Sequence, residues 1–192
     1  MHHTLKFYNA NRPNILRLYM FFARGVRIPL LGGLVRKIAN YYGRSQHRAH
    51  LLTAAEAEEL VAAAGGVAAA PCTCRQLYHK CSHPTDNEIL LAPSRHILEE
   101  ALPHDAQEIT REKALETLKD SQRRGLILTV LKCRGDYYAI CSCCSCCCVP
   151  LRLSKQYGIG EVVVRHKDIV SEFRAYVAAH AHDDEHGHSH EH

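Results

Sequence analysis

The chain has 192 residues, 46% hydrophobic and 23% charged, with a formal net charge of +4, ten cysteines and no tryptophan. A chain this long builds an aliphatic core without disulfide staples, so small size does not account for the cysteines. No stretch approaches the roughly 20 apolar residues of a spanning helix, and residues 16–23, interrupted by Arg17 and followed by Arg24 and Arg27, do not read as a leader. The expected location is the cytoplasm, where thiols stay reduced and grouped cysteines bind metal more often than each other.

The first 50 residues carry Lys6, Arg12, Arg17, Arg24, Arg27, Arg36, Lys37, Arg44 and Arg48 without one Asp or Glu, so all 20 acids lie beyond them. Asn14 fits the N-cap of a short helix over "ILRLYMFFARG" that ends near Gly25. After Pro29, Leu31, Leu34, Val35, Ile38 and Tyr42 recur at helical spacing until Gly43. Residues 1–50 therefore read as a basic amphipathic helical arm. Residues 12–43 suit an anionic membrane surface, with the protein peripheral to it, or an acidic protein. The plainer alternative is that the apolar side packs on the domain and the arginines are solvated. Nucleic acid is not an expected partner, because the arm lacks a helix-turn-helix or an interleaved aromatic platform.

A domain over residues 51–179 follows. "LTAAEAEELVAAAGG" opens on a capping box from Thr53 to Glu56, turns Ala57, Leu60 and Val61 inward and stops at Gly65. "ITREKALETLKDSQRRG" begins at Thr110, aligns Ala114, Leu115 and Leu118, and stops at Gly125. Each helix is followed by an apolar strand and a cysteine group, which reads as a weak internal repeat. Residues 126–131 and 137–140 flank Arg134-Gly135-Asp136 and form a predicted hairpin. Residues 162–164 supply a further strand, and a helix over 167–179, with Ile169, Val170, Phe173 and Val177 on one face, closes the core. The fold class expected is α+β: a small sheet with flanking helices.

"CSCCSCCC", residues 141–148, contains six cysteines. Cys133 sits at the hairpin turn, roughly 15 Å or more along the strand from Cys141, and is expected to be a half-buried bystander. The remaining nine fall into two groups: Cys72, Cys74 and Cys81, then Cys141, Cys143, Cys144, Cys146, Cys147 and Cys148. Cys141, Cys144 and Cys147 have the C-x2-C-x2-C spacing that wraps a loop around a cubane iron–sulfur cluster. Leu151 stands where the fourth cysteine of such a run is expected, leaving that ligand to Cys72, Cys74 or Cys81. Cys143 and Cys146 offer the same local geometry, and one string with side chains alternating between faces serves two clusters. Zinc competes: Cys72 and Cys74 are tight for a knuckle, but His79, Cys81 and His83 are donors from which one can be completed. The number of thiols favours a polynuclear iron–sulfur site.

Three segments, "PCTCRQLYHKCSHPT", "ITREKALETLKDSQRRGLILTV" and "YYAICSCCSCCCVPLR", together resemble a group of cysteine-rich, ferredoxin-like iron–sulfur proteins of anaerobic prokaryotes. The resemblance covers about residues 50–155. It implies iron–sulfur binding, electron transport and a redox partner protein. The chain departs from the pattern in two places. Glu88 and Ile89 occupy the neighbourhood in which relatives carry a further cysteine, and no ferredoxin module with two four-cysteine runs follows.

Residues 180–192 alternate His180, His182, His186, His188, His190 and His192 with small and acidic residues, a composition expected to be disordered and to chelate nickel or zinc weakly. Three functions are consistent with the whole: a single-electron carrier with one or two iron–sulfur clusters, a metal-ion carrier or metallochaperone using thiols and histidines, and a zinc-stabilised adaptor acting through its arm. No glycine-rich nucleotide loop or separated acid–base pair points to an enzyme.

Overall fold

The computed structural model describes residues 2–180, apart from the side chains of residues 2–10, 100 and 101. In chain order it contains α1 (His2–Ala23), α2 (Gly32–Ser45), β1 (His47–Leu51), α3 (Ala54–Ala63), β2 (Gly66–Ala70), α4 (Thr73–Tyr78), β3 (Glu88–Ala92), α5 (Arg95–Ala101), β4 (Gln107–Glu108), α6 (Arg111–Arg123), β5 (Ile127–Cys133), β6 (Asp136–Cys143), α7 (Val149–Tyr157), β7 (Val163–Arg165) and α8 (Ile169–His180). The class is α+β, as expected, but the sheet is not small. Its seven strands run in the order β4-β2-β3-β6-β5-β1-β7, antiparallel except where β1 meets β7.

The sheet is covered on both faces. On one, Ala57, Leu60 and Val61 of α3, Ala114 and Leu118 of α6 and Ile169 and Phe173 of α8 enclose Ile89, Val130, Tyr137 and Ile140 from the central strands. On the other, α5 buries Ile97 and Leu98 against Leu90, Ala92 and Tyr138, while α1 and α7 pack together through Leu16, Met20, Ala23, Val149 and Leu153. Strand β3 is buried along its whole length and alternates its apolar residues between the two faces, which is why "EILLA" reads as a continuous apolar run.

The capping box at Thr53 and Glu56 is present, and Thr110 caps α6 through the Lys113 amide. Arg134 and Gly135 both take positive φ, 51° and 106°, closing the β5–β6 hairpin with a two-residue turn of primed type. The helix–strand order recurs in the two halves, but the thiols leave from β2 in the first and from the returning hairpin strand β6 in the second.

The arm departs from expectation in detail. Asn14 does not begin a helix: α1 runs unbroken through Pro13 and Asn14. Arg12, Leu16, Met20 and Ala23, spaced by four, four and three, are all buried on one stripe, and that packing outweighs the single amide bond removed by Pro13. Gly43 lies inside α2 rather than ending it. A Cβ there would meet Val162 Cγ1 at 2.7 Å, so the glycine permits close approach. Arg12 crosses to β3 and pairs in a fork with the Glu88 carboxylate, at 2.5 and 3.0 Å, in a buried position. The stripe on α1 packs on the domain, while Leu31, Leu34, Ile38 and Tyr42, expected on the apolar side of α2, remain exposed.

Candidate metal centre

Strands β2 and β6 both pair antiparallel with β3, so they run in the same direction and end at the same edge of the sheet. That topology brings the two cysteine segments together across about 65 residues of chain. After β2, Cys72 caps α4, its carbonyl accepting from the Arg75 and Gln76 amides. After β6, the chain turns through residues 144–147, and Cys148 caps α7, with Pro150 in the first turn.

Four sulfurs converge where these segments meet. The ligand atoms of Cys81, Cys144, Cys146 and Cys147 all lie within 4.8 Å of one another, with Cys81 Sγ 3.7 Å from Cys144 Sγ and 3.6 Å from Cys147 Sγ. Cys144 and Cys147 are buried; Cys81 and Cys146 are half-buried at the rim. The Lys80 amide donates to Cys147 Sγ at 3.3 Å. Neither His79 nor His83 joins the group, so the donor set is entirely sulfur. This is a cysteine-rich protein with a four-thiol group competent to hold a metal ion.

Arg75, 2% exposed, staples the site. Its guanidinium donates to Pro84 O (2.6 Å) and Asn87 Oδ1 (2.6 Å) in the loop carrying Cys81, and to Ser142 O at the end of β6. It also sets the charge balance. Burial pushes the Cys144 thiol up, but hydrogen bonds from Cys146, the Cys147 backbone, Arg75 and Cys81 outweigh it and bring Cys144 down to about 6. Burial, reinforced by Cys144 and Cys81, pushes Cys146 up to about 12, and burial also raises Cys147. Of Cys144, Cys146 and Cys147, Cys144 is thus the thiol that deprotonates most readily, and metal binding releases protons from its neighbours.

The other predicted residues lie elsewhere. Cys141 and Cys143, two apart on β6, point to the face covered by α1, and with Cys148, Cys74 and Cys72 they line a cavity of about 610 Å³. Their thiols are near neighbours in the order Cys141, Cys143, Cys148 and Cys74. Cys74 Sγ accepts from the Val149 amide at 3.5 Å, and Thr129 Oγ1 lies 3.5 Å from Cys143 Sγ. The hydrogen bond with Cys143, then burial and the Glu88 carboxylate, hold Cys141 well above the usual thiol range, and burial pushes Cys72 up to about 12. Cys133 is apart from both groups, buried among Ala68, Leu90 and Tyr138, and burial raises it to about 11. All ten cysteines are free thiols. His180 ends α8 and bonds the Tyr176 carbonyl through Nδ1 at 2.7 Å; His182, His186, His188, His190 and His192 lie outside the described residues.

Sequence reasoning named Cys81 only as one of three candidates for the fourth ligand and missed Arg75 altogether. The available signal was an arginine directly after Cys72-x-Cys74, a cation placed where thiolates gather. Comparison with models of protein families, with curated proteins and with solved structures finds no match to this chain.

Proposed function

We propose that this protein is an iron–thiolate redox protein that passes single electrons to a partner protein through a centre held by Cys81, Cys144, Cys146 and Cys147. The observation that carries the reading is the convergence of four free thiols from two distant segments at a half-exposed rim. Metal–sulfur bonds of about 2.3 Å put the edge of a tetrahedral tetrathiolate at about 3.8 Å, and the distances from Cys81 Sγ to Cys147 Sγ and Cys144 Sγ, 3.6 and 3.7 Å, fit that edge. A cubane spreads its thiolates over separate irons and needs them further apart. The geometry therefore favours a mononuclear ion over the four-iron cluster suggested by the C-x2-C-x2-C spacing.

Iron is preferred to a purely structural ion because the domain already has an extensive apolar core on both faces of the sheet. The rim position of Cys81 and Cys146 also leaves a short path for an electron, and the resemblance to ferredoxin-like proteins points the same way. A structural zinc ion is the second reading, favoured by the same sulfur spacing. Histidines 182–192 would add weak nickel or zinc binding, separate from this centre.

Anaerobic purification followed by iron, zinc and sulfide analysis, with electron paramagnetic resonance at set potentials, tests the reading. About one iron per chain with a reversible one-electron signal is expected. Zinc at about one per chain, without a redox signal, would replace the electron carrier with the zinc-stabilised adaptor.

A further inference from the structure

Every large apolar residue that is exposed among the described residues lies in one short stretch of chain. Leu18, Phe21 and Phe22 on α1, Ile28, Leu30 and Leu31 in the connection, and Leu34, Ile38, Tyr41 and Tyr42 on α2 are 43–104% exposed. Singly exposed apolar residues need no explanation, but their concentration on one two-helix element marks an interaction face. The same element carries Arg17, Arg24, Arg27, Arg36 and Lys37, all exposed, and none forms an ion pair among the described residues. No acid occurs in the first 50 residues to offset them.

The tip of the element points to its use. Leu30, fully exposed and next to Pro29, holds a positive φ of 68°. A leucine in the left-handed region is strained, and nothing in the fold is gained from its side chain here. Tyr41 and Tyr42 are amphipathic rings suited to the boundary between headgroups and acyl chains. Leu18, Phe22, Ile38 and Tyr42 also form the outer wall of the 610 Å³ cavity, so whatever covers this face also covers that wall.

From this combination we infer that residues 18–42 dock on the surface of an anionic lipid bilayer, with Phe21, Leu30, Leu31 and Leu34 entering the acyl boundary and the arginines and Lys37 meeting lipid phosphate and carboxylate groups. An acidic protein would complement the charge, but it would leave the run of aliphatic and phenyl groups unmatched. No helix among the described residues is long and apolar enough to cross a membrane, so the attachment is interfacial.

The chain has no tryptophan, which permits a direct test. Leu30→Trp places one fluorophore at the tip, and Arg123→Trp places one on α6, where Arg123 is exposed on the surface. The full-length protein is mixed with vesicles of phosphatidylcholine alone, or of phosphatidylcholine with one-third phosphatidylserine. The Leu30→Trp emission should shift to the blue with the anionic vesicles, while that of Arg123→Trp stays constant. Sedimentation of the unsubstituted protein should show at least tenfold tighter binding to anionic than to neutral vesicles. That preference should be lost at 1 M salt, where the Debye length is about 3 Å. Leu30→Asp with Leu34→Asp, both at exposed positions, should weaken binding at least tenfold without lowering thermal stability; Arg24→Glu with Lys37→Glu should abolish the preference for anionic lipid. Absent or lipid-independent sedimentation, an unmoved Leu30→Trp spectrum, or a dimer in solution that Leu30→Asp with Leu34→Asp dissociates would overturn the proposal, the last by assigning the face to a second copy of the chain.

Discussion

Replacing Arg75 with methionine removes a buried guanidinium that ties the loop carrying Cys81 to the end of β6. Methionine fills much of the same volume but leaves Pro84 O, Asn87 Oδ1 and Ser142 O without their donor. Hydrogen bonds to a charged group contribute about 1.5–3 kcal/mol each. Three such bonds on one side chain are not additive, because the loop carrying Pro84 and Asn87 relaxes once one of them is lost. A net loss of about 4 kcal/mol is expected, near the low end of what the three bonds would sum to. For a chain of this length, that lowers the melting temperature by roughly 8–16 °C. Cys144 also loses one of the hydrogen bonds that bring it down to about 6 and moves back toward the ordinary thiol range. Urea unfolding of the reduced, metal-free protein measures the first effect and competition with a chelator the second. Arg75→Lys keeps a point charge without the fork and should recover less than half of the stability. An Arg75→Met protein within 1 kcal/mol of the parent, holding metal equally well, would refute the stapling role.

Cys144→Ser should lose the metal bound at the four-thiol centre, whereas Cys133→Ser, at a buried position outside both thiol groups, should leave metal content unchanged; inductively coupled plasma analysis of the two proteins decides this. Arg12→Met strands the buried Glu88 carboxylate and should cost about 3–5 kcal/mol. The double variant Arg12→Met with Glu88→Met should recover most of that loss in denaturant titration, and a double variant as unstable as the single would contradict the ion-pair account. Burial lowers His47 and His50 to about 4, with Arg12 contributing at His47 and His166 at His50. The unfolded chain takes up these protons near pH 6.5 and the folded chain does not, so stability should fall as pH drops from about 6.5 toward 4. Thermal denaturation across that range should show a shallower slope for His50→Gln.

The capped helices and the hairpin were legible because they depend on local chemistry: a threonine three residues before an acceptor or amide, and a turn composition with a glycine free to take positive φ. Strand β2 was legible only as an apolar run after a glycine stop, and β1 and β3 were not legible at all. "HRAHL" is too polar to read as a strand and "EILLA" is a bare apolar run; both become strands through sheet neighbours far away in sequence. The site was half legible for a related reason. The thiols of the string were recognisable as ligands, but their partition depends on where β6 ends. Through Cys143 the chain is extended and sends Cys141 and Cys143 to the cavity face. Only beyond it does the turn gather Cys144, Cys146 and Cys147, and the fourth sulfur comes from a segment brought close by the shared direction of β2 and β6. The C-x2-C-x2-C spacing, read on a uniform loop, therefore selected Cys141 in place of Cys146.

X-ray absorption at the metal edge tests the central claim most directly, because it reports the donor set whichever metal is bound. One ion held by Cys81, Cys144, Cys146 and Cys147 predicts four sulfur neighbours at about 2.3 Å, no metal–metal scattering, and loss of the sulfur shell in Cys144→Ser. A nitrogen or oxygen donor in the first shell, a metal–metal shell, or an unchanged spectrum in Cys144→Ser would contradict it.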